Sequence, residues 1–235
     1  MLIGQEGVER LSKSKVAVFG LGGVGSYVCE ALARSGVGNF ILIDNDKVSI
    51  TNINRQLIAL KSTVGMQKTQ IQKQRILDIN DNANIDILNQ FILQDTDFNF
   101  LSDVDYIVDA IDTISAKIAL CVYAQNNDKR IIAAMGAGNK FDATKLTAAD
   151  IYETSVCPLC KVMRRELRKR EVKELKVVYS TEEVFKATID STEIVNNERD
   201  ELNISKKSVP GSMIFVPSVM GIMIANQVVG DLLND

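Results

Sequence analysis

The chain of 235 residues contains no histidine. Imidazole acid–base catalysis, histidine-activated nucleophiles and histidine-containing zinc sites are therefore excluded together. Any chemistry has to come from carboxylates, lysine, arginine, cysteine, backbone amides or a bound ion. Cysteine is scarce too. Cys29, Cys121, Cys157 and Cys160 are too few and too clustered for a disulfide framework in a chain of this size, and a reducing compartment suits them better. The C-x-x-C pair of Cys157 and Cys160 cannot complete a four-cysteine zinc site within one chain, and no cysteine stands in a loop suited to a thioester. Long apolar runs are also missing: the richest stretch, "MIFVPSVMGIMIANQVV", is interrupted by Pro217 and Asn226, short of the ~18–20 residues of a membrane helix. No basic segment followed by an apolar one marks a secretory signal, so the expectation is a cytoplasmic chain with no membrane partner.

What is present is enough for one substantial domain spanning residues 1–235. "KVAVFG", "NFILID", "NIDILN", "DYIVDAI" and "RIIAAM" read as short apolar strands, and "SYVCEALARSG", "QKTQIQKQRILDI" and "SAKIALCVYAQNN" between them as helices. This alternation predicts an α/β fold: a Rossmann-like, doubly wound, mostly parallel sheet with helices on both faces. Cys29 and Cys121 fall on predicted core helices. Beyond residue 138 the rhythm changes. "KFDATKLTAADI" reads as an extended hairpin, "PLCKVMRRELRKR" as a helix opened by Pro158, and "KVVYS" as a further strand, together a C-terminal antiparallel extension. Residues 181–212, rich in Asn, Glu, Asp and Ser, read as a mobile loop, and "VPSVMGIMIANQVVGDLL" as a closing helix beginning near Pro217.

Gly20, Gly22 and Gly25, with Gly23 added, form a G-x-G-x-x-G turn between the first strand and the first helix after it. The first glycine permits the tight turn, the second lets backbone approach a phosphate, and the third packs helix on strand with its amino end toward the anion. Alone the motif indicates a nucleotide or a dinucleotide. Asp44, at the end of the next strand, stands where such folds bind a ribose hydroxyl. An NAD enzyme would then continue directly into a helix. Here Asp46, Asn52, Arg55 and Gln56 follow within "DNDKVSITNINRQ", and then Lys68. Fixed cations beside a nucleotide suit a triphosphate, because guanidinium and ammonium groups stabilise charge developing on a departing pyrophosphate. "DAIDT" offers Asp109 and Asp112 at the ligand-binding edge of the sheet. Asp112 could hold Mg²⁺ against phosphates or cap the following helix, and both are compatible. Residues 161–176 carry eight basic and three acidic side chains, a segregation that fits either an anionic partner or a solvated helix face.

Taken in order, "GLGGVGS", "DNDKVSITNINRQ", "VGMQKT" and "VDAIDT" resemble the ATP-dependent carboxylate-adenylating family that includes ubiquitin-activating, molybdopterin-synthase-activating and thiamine-sulfur-carrier-activating enzymes. "LIGQEGVERL", "ALARSGVG", "MGAGNKFDATKLTAADI", "CPLCKVMRRELRK" and "FVPSVMG" resemble its tRNA threonylcarbamoyladenosine dehydratase branch over nearly the whole chain. The resemblance implies that Asp44 binds the ATP ribose, that Asn52, Arg55 and Lys68 contact phosphates, and that Asp112 positions Mg²⁺, with Asp46 in the same acidic pair. It implies a homodimer, a tRNA partner carrying threonylcarbamoyladenosine, and in some relatives a monovalent cation. Family members commonly have an arginine just ahead of the "LIGQEG" stretch, and Arg10 does not stand at that position. Arg164, Arg165, Arg168, Lys169 and Arg170 are the candidate tRNA-phosphate contacts. The same ATP site would serve an activator of a ubiquitin-like or sulfur-carrier protein. An NAD oxidoreductase would leave Arg55, Lys68 and Asp112 idle, and a non-catalytic scaffold is a further class.

Overall fold

A computed structural model of the chain describes residues 2–184 and 211–234. The 181–212 segment, expected to be a mobile loop, lies almost wholly outside the described residues. Among those described, the order is α1 (Gly4–Lys13), β1 (Lys15–Phe19), α2 (Gly25–Arg34), β2 (Asn39–Ile43), α3 (Lys68–Ile79), β3 (Asn84–Leu88), β4 (Tyr106–Asp109), α4 (Ile114–Asn126), β5 (Arg130–Ala134), β6 (Leu146–Asp150), α5 (Pro158–Arg168), β7 (Lys176–Ser180) and α6 (Phe215–Leu233). One seven-stranded sheet runs β3-β2-β1-β4-β5-β7-β6. Its pairs are parallel except β6 with β7. The expected Rossmann-like sheet, antiparallel extension and closing helix are all present.

The strands read as unbroken apolar runs because both faces of the sheet are covered: Val16, Ala17, Val18 and Phe19 of β1 are fully buried. Val28 and Leu32 of α2 join Met220, Ile224 and Val228 of α6 on one face. Leu120 of α4 joins Phe19 and Ile107 on the other. From β1 the chain winds outward to β2 and β3, then returns to β4 on the other side of β1. The carboxyl ends of β1 and β4 thus form the switch point at which open α/β sheets bind ligands.

Three local readings change. Helix α1 was not expected, since "GQEGVERLSK" is mostly polar; it buries Gly7 and Leu11 and is tied to the end of α6 by Arg10 Nη1 donating to Leu233 O at 3.0 Å. The expected hairpin over "KFDATKLTAADI" is instead a single strand, β6, preceded by a 3₁₀ turn at Ala143–Lys145 that Asp142 caps by accepting from Thr144 N at 2.9 Å. Its antiparallel partner is β7, supplied from beyond α5. Helix α6 starts at Phe215, so Pro217 sits in the first turn, where its missing N–H costs no helical bond.

At 19 residues with a mean hydropathy of 1.4, α6 is long and apolar enough by length and composition to cross a membrane, contrary to the expectation from its interruptions. Its apolarity has a local explanation. Val216, Met220, Ile224, Val228 and Leu232 recur every four residues and are buried in the described structure. Gly221 lets α6 approach α2: a Cβ there would lie 2.5 Å from Val24 O and 2.9 Å from Tyr27 Cβ. Gly221→Ala should therefore lower the urea midpoint with an unchanged m-value, a loss of about 1–3 kcal/mol from overpacking; an unshifted midpoint would show that the helices separate without penalty.

Candidate active site

The glycine loop is fixed by close approach. Gly20, at the end of β1, has φ +84°, and a Cβ there would stand 2.7 Å from Ala110 O just beyond β4. Gly25 opens α2 with no room at all, since its Cβ would fall 1.8 Å from Gly20 O. Protein atoms alone demand these two glycines. Gly22 is different: its Cβ would meet only Gln56 Nε2 at 3.7 Å, while at Gly23 it would meet Pro217 Cβ at 3.2 Å and Arg55 Cγ at 3.5 Å.

Buried Ser26 joins this loop to the "NINRQ" segment, its Oγ donating to Gly22 O at 2.6 Å and accepting from Leu57 N at 3.3 Å. Half-buried Arg55 lies beside Gly23, with Nη1 donating to Thr51 O at 2.8 Å and Asn54 Oδ1 at 3.0 Å. Gln56 is buried, and its Oε1 has no hydrogen-bond partner in the described structure. Asn52 has local work: its Oδ1 accepts from Ser49 N at 3.1 Å in the capping box of the 3₁₀ turn Ile50–Asn52.

Asp44 follows β2 and ties three segments together. Its Oδ2 accepts from Leu21 N in the glycine loop at 2.7 Å, and its Oδ1 accepts from Asp46 N at 2.8 Å. Burial pushes the Asp44 carboxyl above the usual carboxylate range, opposed first by Lys68 and then by those two N–H groups. Lys68, the first residue of α3, has its Nζ 2.8 Å from Asp46 Oδ2 and 3.9 Å from Asp44 Oδ2. Its backbone N donates to Asp46 O at 3.1 Å. The Lys68 side chain is 6% exposed, whereas that of its closer partner Asp46 is 60% exposed. Solvent screens an exposed carboxylate strongly, so Lys68 can exchange this partner for another anion at small cost.

Asp112 follows β4 and is exposed. Thr113 holds the N-cap of α4 with no side-chain cap bond, and Asp112 Oδ1 accepts only from Thr113 Oγ1 at 3.4 Å. The helix-capping role considered for Asp112 is thus not what this side chain does. Among the described residues no group of three or more acidic or cysteine side chains could hold a metal alone. Nucleotide-bound Mg²⁺ needs about one or two carboxylates besides phosphates and waters, and the exposed carboxylate at the switch point fits that donor set.

The basic helix α5 is less open than its composition suggests. Arg164 Nη1 donates to Thr154 O at 2.8 Å and also to Thr154 Oγ1. Arg165, Lys169 and Arg170 converge on Glu166 at 3.0, 3.0 and 3.1 Å, and the three, Lys169 foremost, hold its carboxyl down to about 2. The Arg168 guanidinium lies 5.1 Å from the centre of the Tyr152 ring. All four cysteines are buried free thiols. Burial pushes Cys29 and Cys121 up. The hydrogen bond from Cys160 brings Cys157 down to about 5, and the same contact pushes Cys160 up.

The structure therefore gathers the glycine loop, Asp44, Asp46, Arg55, Gln56 and Lys68 at one edge, with Asp112 on the adjoining turn. Two contributors escaped the sequence reading. Ser26 was one unremarkable serine inside a helix pattern, and Lys117, buried with Asp109, was hidden in an apolar helical stretch.

A glycine loop at a topological switch point, a buried acid after the second strand and a buried lysine opening the next helix define a nucleotide-binding protein of the doubly wound class. More particularly, the chain belongs to the ThiF family, whose profile matches residues 1–235. It is 46% identical over 238 residues to the tRNA threonylcarbamoyladenosine dehydratase of Bacillus subtilis (strain 168), covering 100% of this chain and 93% of that protein. It is 34% identical to an adenylyltransferase and sulfurtransferase of Candida glabrata over only 63% of this chain and 34% of that one. The crystal structure of E. coli tRNA N6-threonylcarbamoyladenosine dehydratase in complex with ATP matches 99% of this chain and 91% of its own length, with a TM-score of 0.86 at 28% identity.

The dual role of Asp44 is testable in the absence of ligand. Asp44→Asn removes one of the two carboxylate acceptors, for the part-buried Leu21 N–H or the exposed Asp46 N–H, and should cost about 1–3 kcal/mol in urea unfolding; wild-type stability would show that the glycine loop holds without it.

Proposed function

We propose that the chain is an ATP-dependent tRNA threonylcarbamoyladenosine dehydratase, which adenylates the threonyl carboxylate of the modified adenosine next to the anticodon and cyclises it to the hydantoin form with release of AMP and pyrophosphate. The observation that carries this is the end-to-end likeness to the Bacillus subtilis dehydratase, because the pocket alone would serve any adenylating member. The weaker and shorter likeness to the Candida glabrata adenylyltransferase ranks carrier-protein activation second. One domain over residues 1–235, acting in the cytoplasm as a homodimer, belongs to the same reading.

In the first step a carboxylate oxygen of the substrate bonds to the α-phosphorus of ATP as the bond to the β-phosphate oxygen breaks, and pyrophosphate leaves. Two anions must meet, so the repulsion has to be offset where charge accumulates. Lys68 supplies a buried cation whose nearer partner, Asp46, is solvent-exposed. Arg55 supplies a second beside Gly23. The loop amides near Gly22, where no protein side chain crowds the backbone, suit phosphate oxygens, and Asp44 is the acid for the ribose. Asn52 and Gln56 complete the proposed contacts. Mg²⁺ would neutralise phosphate charge, and Asp112 is the residue to hold it.

In the second step a nitrogen of the same threonylcarbamoyl group attacks the activated carbonyl, loses its proton, closes a five-membered ring and expels AMP. Intramolecular attack has effective concentrations of ~10⁵ M or more when well oriented. No enzyme nucleophile is required, in keeping with a chain without histidine and with all four cysteines buried.

For tRNA, Arg165, Arg168, Lys169 and Arg170 present exposed charge on α5 and the turn that ends it, while Arg164 is turned to Thr154 and has the weaker claim. Glu166 tempers this face by occupying three of its cations.

Incubation with ATP, magnesium and total tRNA should remove one water from the threonylcarbamoyl nucleoside by mass spectrometry; no mass change, with pyrophosphate exchange stimulated by a small carrier protein instead, would transfer the assignment to the second reading. Lys68→Ala and Arg55→Ala should each slow AMP formation by about 10²–10³-fold in protein with wild-type circular dichroism, and near-normal rates in both would remove them from the site. Glu166→Gln releases cations, so tRNA binding should tighten and its logarithmic salt slope steepen by about one; an unchanged slope would make α5 a solvated face.

A further inference from the structure

Asp109 and Lys117 form an ion pair, Oδ2 to Nζ 3.0 Å, in which both side chains are fully buried. Such pairs are poor sources of stability, because desolvating two charges commonly costs as much as their attraction returns and apolar residues of equal volume do as well. Lys117 is also badly placed for its helix. It lies in the first turn of α4, where the macrodipole disfavours a cation, and α4 has no side-chain cap to compensate.

What the pair holds is a single residue of the switch-point turn. Asp109 Oδ1 accepts from Ile111 N at 3.2 Å, and Lys117 Nζ donates to Ile111 O at 3.2 Å. Ile111 is thus gripped at both its N–H and its carbonyl. On one side of it is Ala110, whose carbonyl leaves Gly20 no room for a Cβ; on the other is Asp112. The two charges span the strand-to-helix turn, one at the last residue of β4 and the other inside α4.

We propose that Asp109 and Lys117 are positioning residues for adenylation: they fix the turn between β4 and α4 so that the Asp112 carboxylate stands beside the glycine loop. This rests on the reading of Asp112 given above. The pair does not touch the reacting atoms and acts through Asp112.

The test is a coupling cycle in full-length protein. Asp109→Leu with Lys117→Met leaves no unpaired charge and should fold, as judged by circular dichroism. Its turnover, read as AMP release at saturating ATP and threonylcarbamoyladenosine-bearing tRNA, should fall by about 10²-fold, the scale of an ångström-sized misplacement, with the KM for tRNA unchanged. Adding Asp112→Asn should then cost nothing beyond Asp112→Asn alone, because interactions that act through one group are not additive. Wild-type turnover in the pair variant, or losses that multiply with Asp112→Asn, would overturn the inference while leaving the adenylation reading intact. Wild-type turnover in Asp112→Asn alone would instead remove Asp112 from the proposed function, and this inference with it. If the apolar pair does not fold, Asp109→Asn with Lys117→Gln is judged by the same outcomes.

Discussion

The buried carboxylate of Asp44 is the constraint on which the site depends. One oxygen accepts the backbone N–H of Leu21 in the glycine loop, the other accepts that of Asp46, and Lys68 approaches from α3. A carboxylate buried to that extent has to stay paired, because a buried polar group left without a partner costs more than the bond itself returns. The three segments are therefore tied to one another through this single side chain. The order of strands places this knot at the switch point, with the turn after β4 lying against Gly20 on the other side.

Charge is arranged with the same economy. A chain without histidine has no side chain whose ordinary titration lies near neutral pH apart from perturbed cysteines, and the proposed reaction asks for none: it needs cations to bring anions together and a substrate nitrogen already tethered to its target. Lys68 is buried and paired with Asp46, whose own exposure weakens its hold, as the proposed exchange for phosphate requires. On α5, Glu166 occupies three cations and so limits how strongly that face attracts a polyanion.

The fold was legible because a doubly wound sheet imposes strong local patterns: unbroken β-branched strands, helical apolar spacing, and glycine wherever backbone meets backbone. Gly20, Asp44 and Lys68 were legible for a related reason, since each stands at a strand end or helix start that the pattern itself defines. What escaped were features whose partners are distant in sequence. The polar helix α1 is held by α6 at the opposite terminus. Strand β6 reads locally as half of a hairpin because its partner β7 comes only after an intervening helix. The apolarity of α6 acquires its explanation only once α2 is seen against it.

The amino-acid sequence by itself determined the class of fold, the nucleotide loop and the set of charged residues around it, since these follow from local periodicity, backbone sterics and motif spacing. Tertiary structure alone decided which of those charges are spent on the protein and which remain to act: Arg164 turned to Thr154, three basic residues shared by Glu166, Asn52 closing its own turn, and Lys117 carried to full burial against Asp109. The physical reason is that a charge takes its meaning from the dielectric and the partners around it, and both are assembled from residues far apart along the chain.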